Sequence, residues 1–289
     1  MKQRMWHLRG VRAIAVCGLL ALHTTGLSAY GTSAHEASAA LQSSLLRSLR
    51  GSAASGVVLR WSDGAVLARV GSNDPSTPGS VIKPLLLSWA LQHGSVTRST
   101  SVYCRRTLRV GQSRLPCTHP ADTATFTARS ALAASCNTYF AAVADRMRGF
   151  DFEAALRSTG LTHADATSET QEQRELTMLG VRYVTSTPLQ LASAYRALMK
   201  NEANDSPVRL GLADSVSFGM ANPARVNGLE VLGKTGTASA YDGGPTHGWF
   251  AGGLPGSLVL VVYVPLGNGG DAAMLAGNFF REVSTRQTR

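Results

Sequence analysis

The sequence predicts an α+β fold: a five-stranded antiparallel sheet drawn from both chain ends and flanked by helices, with a mostly helical lobe between them. Three observations predict it. Two strand-like runs lie near the start around a tight turn, three more occupy the last third, and the stretch between reads as successive helices. The 289 residues, 44% hydrophobic and 16% charged, suit one domain of two lobes. No internal repeat or long low-complexity linker divides them.

The chain start has a different character. Lys2, Arg4, Arg9 and Arg12 precede the apolar run Ala13 to Leu22, and small residues follow, with Leu27-Ser28-Ala29 or Thr32-Ser33-Ala34 as cleavage sites. This is the layout of a secretory signal, so residues 1–29 are expected to be a signal peptide and 30–289 the working domain. The run is shorter than the roughly 20 apolar residues of a membrane span. An uncleaved N-terminal segment that ties the chain to the membrane is the alternative. Cys17 follows Val16 rather than a small residue, which argues against a lipid anchor. The expected location is periplasmic or otherwise extracytoplasmic. Removing residues 1–29 takes four positive charges from a formal net charge of +10. The remaining arginines are scattered, without a basic run or aromatic interleaving, so a nucleic-acid partner has no support.

Leu41, Leu45 and Leu49 recur at helical spacing and predict an amphipathic helix that packs on the sheet. Gly56 to Trp61 is a strand, Ser62-Asp63-Gly64 a tight turn and Ala65 to Val70 the returning strand. Pro78-Gly79 ends a polar loop that turns into a helix at Ser80, marked by the apolar run Leu85, Leu86, Leu87, Trp89, Ala90 and Leu91 and closed by His93-Gly94. Pro84 is tolerated there because first-turn N–H groups have no intrahelical partner. Thr127 to Ser135 is Ala-rich and helical. Ser135-Cys136-Asn137 interrupts it, with Asn137 as the expected cap of a helix from Thr138 to Met147. Phe152 to Ser158 is another helix, and Ala164 to Thr177, with Asp165, Glu169, Glu172 and Glu175, reads by composition as a polar connector. Thr187-Pro188-Leu189-Gln190 is a strong helix start, combining an N-cap, a first-position proline and a capping box. A short helix is expected from Ala213 to Met220. Strands then follow at Leu229 to Thr237, Gly248 to Ala251 and Leu258 to Val264, with a turn at Asp242-Gly243-Gly244-Pro245. Asp271 is expected to cap the closing helix.

Ser80 and Lys83 stand three apart, which on a helix places a hydroxyl beside an amine. Ser-x-x-Lys is weak alone, and chance would explain it. Lysine usage sharpens it: the chain has only Lys2, Lys83, Lys200 and Lys234, and otherwise uses Arg. Arg cannot give up its proton, whereas a buried Lys can. Lys234-Thr235-Gly236-Thr237 places a cation, two hydroxyls and a side-chain-free residue along a strand. Glycine would admit a ligand backbone to the strand edge, and Lys with hydroxyls can hold a carboxylate. A lysine guarding an exposed edge strand would look the same.

Cysteines Cys104, Cys117 and Cys136 follow the signal. Cys104 and Cys117 bracket a hairpin-like segment with Gly111-Gln112 near its middle, and export permits a disulfide. The expected pairing is Cys104 with Cys117, leaving Cys136 as a buried free thiol. His119 stands near Cys117, but no Cys-x-x-Cys or His-x-x-Glu-His spacing closes a ligand set, so no metal is expected.

Ser80-x-x-Lys83, Ser135-x-Asn137 and Lys234-Thr235-Gly236 occur in that order, the combination associated with serine β-lactamases and penicillin-binding proteins. From about residue 40 to the end the chain resembles the transpeptidase domain of class B penicillin-binding proteins. Pro78 to Pro84, Ser135 to Phe140, Thr187 to Ala192, Gly233 to Ala238, His247 to Phe250 and the Cys104–Cys117 hairpin carry the likeness. It departs from that family in lacking a long N-terminal pedestal domain and in its short connection from Ser135 to Lys234, closer to class D β-lactamases. The resemblance implies a β-lactamase/transpeptidase-like fold and acyl transfer from D-Ala-D-Ala wall peptides through a serine ester. Ser80 would be the nucleophile, Lys83 the base and Ser135 the proton relay. Asn137, Lys234, Thr235, Gly236 and Thr237 would bind substrate, with no cofactor. The implied partners are peptidoglycan stem peptides, β-lactam antibiotics and a glycan polymerase or other wall-assembly protein. A serine β-lactamase, or a β-lactam sensor or scaffold without turnover, is the alternative.

Overall fold

The structure, a computed structural model, describes residues 25–120, 124–164, 169–239 and 244–287. The charged start and apolar run of the expected signal, Asp165 and the Asp242-Gly243 half of the expected turn lie outside the described residues. The chain divides into a short unit, Met1–Ala37, and a large one, Ser38–Arg289. No helix among the described residues is long and apolar enough to cross a membrane.

The first helix, α1 (Thr25–Ser48), is longer than the leucine stripe that predicts it. Strands β1 (Ser55–Arg60) and β2 (Val66–Val70) form the expected hairpin. A 3₁₀ turn, Gly79–Ile82, then leads into α2 (Lys83–Gln92). Short strands follow: β3 (Ser101–Tyr103), the hairpin β4 (Arg109–Val110) and β5 (Ser113–Arg114), and β6 (Thr125–Thr127), which pairs back with β3. The helical lobe continues through α3 (Ala128–Ala134), α4 (Asn137–Arg146) and α5 (Gly149–Thr159). Strand β7 (Thr162–His163), α6 (Gln171–Met178), β8 (Val184–Thr185), α7 (Pro188–Asn201) and α8 (Pro207–Ser217) complete it. Strands β9 (Leu232–Ser239), β10 (Thr246–Leu254) and β11 (Leu258–Val264) precede α9 (Gly269–Gln287).

The sheet runs β2-β1-β11-β10-β9, antiparallel throughout, so both chain ends supply it as expected. β11 is a continuous apolar run because both its faces are covered. Leu258, Leu260 and Val262 join Leu45, Phe250, Phe279 and Phe280 on the face shared with α1 and α9. Val259 and Val261 point the other way, into the core with Trp249, Leu86 and Tyr195 of the helical lobe. The alternation is the period-two geometry of a strand. Each of these large side chains contributes about 1.5–3 kcal/mol by burial.

Three expectations change. The polar connector contains α6, whose start is a capping box: Thr170 accepts from Gln173 N, and the Gln173 side chain accepts from Thr170 N. The last helix of the middle begins at Ser206-Pro207, with Ser206 accepting from Arg209 N, earlier than Ala213. At the closing helix Asn268 and Asp271 cap reciprocally: Asn268 Oδ1 accepts from Gly270 and Asp271, and Asp271 Oδ2 accepts from Asn268 N.

Candidate active site

The 3₁₀ turn fixes the first motif. Lys83 N–H donates to Ser80 O, and in a 3₁₀ turn side chains three apart eclipse, so Ser80 and Lys83 face the same way. Gly79 sits at φ +56, with N–H donating 2.9 Å to Gly180 O, and a Cβ there would lie 2.7 Å from Thr237 O. Only glycine admits this left-handed backbone pressed against β9. Tyr195 Oη donates to Val81 O at 2.7 Å. Just before the turn, Trp249 Nε1 donates 2.9 Å to Thr77 O, and His247 Nε2 reaches the same carbonyl at 2.7 Å. Burial lowers the His247 pKa, which favours the neutral ring. His247 and Trp249 belong to the segment that resembles the family, but no local sequence signal announces this anchoring role.

The second motif meets the first beneath the cleft. Ser135 is the left-handed C-cap of α3, φ 57 and ψ 35, and turns its carbonyl and hydroxyl toward two buried amines. Lys83 Nζ donates 3.1 Å to Ser135 O and 2.6 Å to Asn137 Oδ1, with Ser135 Oγ at 3.5 Å. Lys234 Nζ donates 2.9 Å to Ser135 Oγ and 2.9 Å to Thr235 O. The bonds of Lys83 go to Ser135 and Asn137, not to Ser80, and its amine lies 5.0 Å from the Phe140 ring centroid. Asn137 is the first residue of α4 and Cys136 its cap residue, so the expected Asn137 cap is corrected. The Asn137 amide is committed elsewhere: Oδ1 serves Lys83, while Nδ2 donates to Leu115 O and Pro116 O of the hairpin.

The third motif lies on edge strand β9. Lys234 is fully buried and points to Ser135. Gly236 lies on the same face by strand alternation, where a Cβ would stand 2.5 Å from Pro78 O and 3.0 Å from Val81 N. The close approach that requires glycine is therefore made by the chain's own 3₁₀ turn, rather than by the ligand backbone expected from the motif. Thr235 and Thr237 take the opposite face. Thr235 Oγ1 donates to Met220 O at 3.4 Å, and Thr237 Oγ1 accepts from Gly269 N at 2.9 Å.

Burial pushes Lys83 down to about 7, with the nearby Cys117 and Cys136 opposing the shift. Burial, followed by the charge of Lys83, pushes Lys234 well below its ordinary value. Any step that uses neutral Lys83 should therefore gain rate as pH rises through about 7 and fall about tenfold per unit below it. A pH profile of the acylation that the motif resemblance implies checks this; a rate flat from pH 5 to 8 would contradict it.

Ser80, Ser135, Asn137, Thr235, Gly236 and Thr237 line one cleft of about 590 Å³, roofed by the β4–β5 hairpin. Lys83 and Lys234 lie buried behind Ser135. Arg114 and Arg182 also line the cleft, and no Asp or Glu does among the described residues. A depression of about 900 Å³ beside Trp89, His93 and Gln190 holds none of the motif residues.

The cysteines depart from expectation. Cys104, Cys117 and Cys136 are all buried free thiols. Cys104 Sγ lies 3.5 Å from Cys117 Sγ, beyond the roughly 2.05 Å of a disulfide. Cys136 is not left apart, since its Sγ is 3.8 Å from Cys117 Sγ, and His119 Nε2 lies 3.5 Å from Cys104 Sγ. A hydrogen bond from the Cys136 thiol lowers the Cys117 pKa and raises that of Cys136.

Residues 54–285 match the family model described as penicillin binding protein transpeptidase domain. None of the curated proteins searched matches the chain. Among solved structures, the D,D-transpeptidase domain of a peptidoglycan glycosyltransferase from Eggerthella lenta is similar with a TM-score of 0.74 at 18% identity, over 86% of this chain and 81% of that one. The transpeptidase domain of Burkholderia pseudomallei penicillin-binding protein 3 gives 0.73 at 20% identity, covering 89% of this chain and 95% of that one. A peptidoglycan glycosyltransferase from Burkholderia ambifaria gives 0.70 at 22% identity, with the same coverage.

Proposed function

The chain belongs to the penicillin-binding protein transpeptidase family, and on that premise we propose that it is a serine D,D-transpeptidase or D,D-carboxypeptidase acting on D-Ala-D-Ala stem peptides outside the cytoplasm. The observation that carries this reading is the bonding of Lys83. A neutral amine has two N–H donors and one lone pair. Asn137 Oδ1 and Ser135 O take the two donors at 2.6 and 3.1 Å, which leaves the lone pair for a hydroxyl proton. Lys83 takes the proton of Ser80 as its oxygen attacks the carbonyl between the two alanines. Backbone N–H groups of Ser80 and Thr237 bind the developing oxyanion, where one donor is worth roughly 10²–10³ in rate. Ser135 passes a proton to the leaving amine, and Lys234, held on its hydroxyl, keeps that oxygen oriented. Lys234 and the exposed edge at Thr237 hold the terminal carboxylate, while the Thr235 hydroxyl is committed to Met220 O on the other face. An amine acceptor or water then resolves the ester. A glycan polymerase that supplies the strands is the partner this reading implies.

β-Lactams mimic the same dipeptide, so penicillin should acylate Ser80. The adduct should persist, because hydrolysis needs a base poised on water. The connector glutamates do not supply one. Glu175 is buried, bonded by Gln171 and set against Asp145, with burial raising its pKa to about 7. Glu172 lies against Gly111, and Glu169 is exposed. A stopped incubation followed by intact-mass spectrometry should show a single penicilloyl adduct per chain lasting many minutes. Rapid loss with many turnovers would assign the protein as a serine β-lactamase instead.

A further inference from the structure

Cys104, Cys117, Cys136 and His119 come from three separate places: the end of β3, the strand exit of the β4–β5 hairpin and the start of α4. Their ligand atoms nevertheless lie within 4.8 Å of one another, and all four residues are buried. We propose that they form a Cys₃His site for a structural divalent zinc ion, which clamps the hairpin to the Ser135–Asn137 loop.

The spacing fits the ion. Zn–S bonds near 2.3 Å and Zn–N bonds near 2.05 Å at tetrahedral angles place sulfurs about 3.8 Å apart and sulfur about 3.6 Å from nitrogen. The observed separations are 3.5 Å for Cys104–Cys117, 3.8 Å for Cys117–Cys136 and 3.5 Å for Cys104 Sγ to His119 Nε2. The outer partners fit as well. His119 Nδ1 bonds Pro120 O at 2.8 Å, which puts the proton on Nδ1 and leaves the Nε2 lone pair facing the sulfurs. An imidazole oriented by a carbonyl on its far nitrogen is the usual arrangement of a metal-bound histidine. Arg106 N–H donates to Cys104 Sγ at 3.3 Å, and Thr138 Oγ1 stands 3.6 Å from Cys104 Sγ and 3.7 Å from Cys117 Sγ. The Arg106 N–H on Cys104 and a Thr138 hydroxyl turned to Cys117 suit sulfurs that carry negative charge. Binding releases three thiol protons to solvent and leaves His119 neutral. With four protein ligands the coordination is closed, so the ion has no open position for chemistry.

The consequence for the active site rests on the reading above. Cys136 lies between Ser135 and Asn137, and Asn137 Nδ2 bonds Leu115 O and Pro116 O immediately before Cys117. An ion that joins Cys136 to Cys117 fixes the loop and the hairpin that roofs the cleft. The four ligands are thus positioning residues rather than catalytic ones.

The test starts with metal and needs no acylation. The full chain, isolated from its export compartment without reductant, should carry one zinc per chain by elemental mass spectrometry. After unfolding with a chelator it should show all three of these thiols as free. A zinc-free chain with a Cys104–Cys117 disulfide and one free thiol would overturn the site in favour of the pairing expected from sequence. Reduced, metal-free protein titrated with cobalt should develop thiolate charge-transfer bands in the near ultraviolet and the intense visible bands of a tetrahedral site, saturating at one equivalent. Cys104→Ser and His119→Ala should weaken and alter those bands. Absence of the bands in the wild-type chain overturns the proposal even where the variants fail to fold. Chelation that removes zinc and also slows penicillin acylation supports the clamp; zinc removal that leaves acylation unchanged refutes the clamp but not the site.

Discussion

Lys83→Arg is expected to slow acylation by penicillin about 10²–10⁴-fold, the range that a positioned general base contributes. The substitution keeps the positive charge but removes the ability to give up a proton near neutral pH. In the native chain burial brings the amine down to about 7, so an appreciable fraction is neutral where the enzyme works. Arginine is bulkier, and Lys83 is packed against Phe140 with no exposure. Overpacking could therefore lower stability by about 1–3 kcal/mol. Lys83→Met, neutral and of similar length, separates the effects: both variants should lose acylation, whichever of them melts nearer to the wild type. Stopped-flow measurement with a reporter β-lactam reads the rate. Near-normal acylation by folded Lys83→Arg would make Lys83 a structural residue.

Gly236→Ala should damage both stability and chemistry, although it adds one methyl group. Its Cβ would meet Pro78 O at 2.5 Å, and backbone cannot yield as a flexible side chain does. The expected cost is about 1–3 kcal/mol, which for a domain of this size lowers Tm by about 2–4 °C per kcal/mol. The segment that must give way carries Ser80, and a displacement of 1 Å in a reacting group can cost about 10²-fold. Calorimetric melting and the acylation rate should therefore fall together. An unchanged rate with a lowered Tm would show that the turn adjusts without moving Ser80.

These two cases also show what the sequence could and could not disclose. The sheet was legible because its strands are either alternating or fully apolar runs with turn residues between them. Helix α7 was legible because Thr187, Pro188 and Gln190 announce its start. Helix α6 carries a similar capping signal at Thr170 and Gln173, but its polar composition masked the pattern. Asn137 has the local preference of a cap, but that preference says nothing about a lysine delivered from α2, which its side chain serves instead. For Gly236 the need for a small residue was visible, but the Pro78 carbonyl that imposes it arrives through tertiary packing. The sulfur–imidazole cluster was hidden for the same reason: its ligands follow no zinc-binding spacing and meet only when the hairpin folds onto the start of α4. By contrast, Ser80, Lys83, Ser135, Asn137 and Lys234 could be named from three short motifs. What the structure adds is the bonding, with Ser135 Oγ set between two buried amines.

The central claim is that Ser80 is the acylated nucleophile. Brief incubation with penicillin, acid quenching and peptide mass mapping tests it most directly. The penicilloyl group should appear on the peptide containing Ser80, once per chain, and should be absent from Ser80→Ala. Adduct formation in Ser80→Ala, or a wild-type chain that stays unmodified at saturating penicillin, would contradict it.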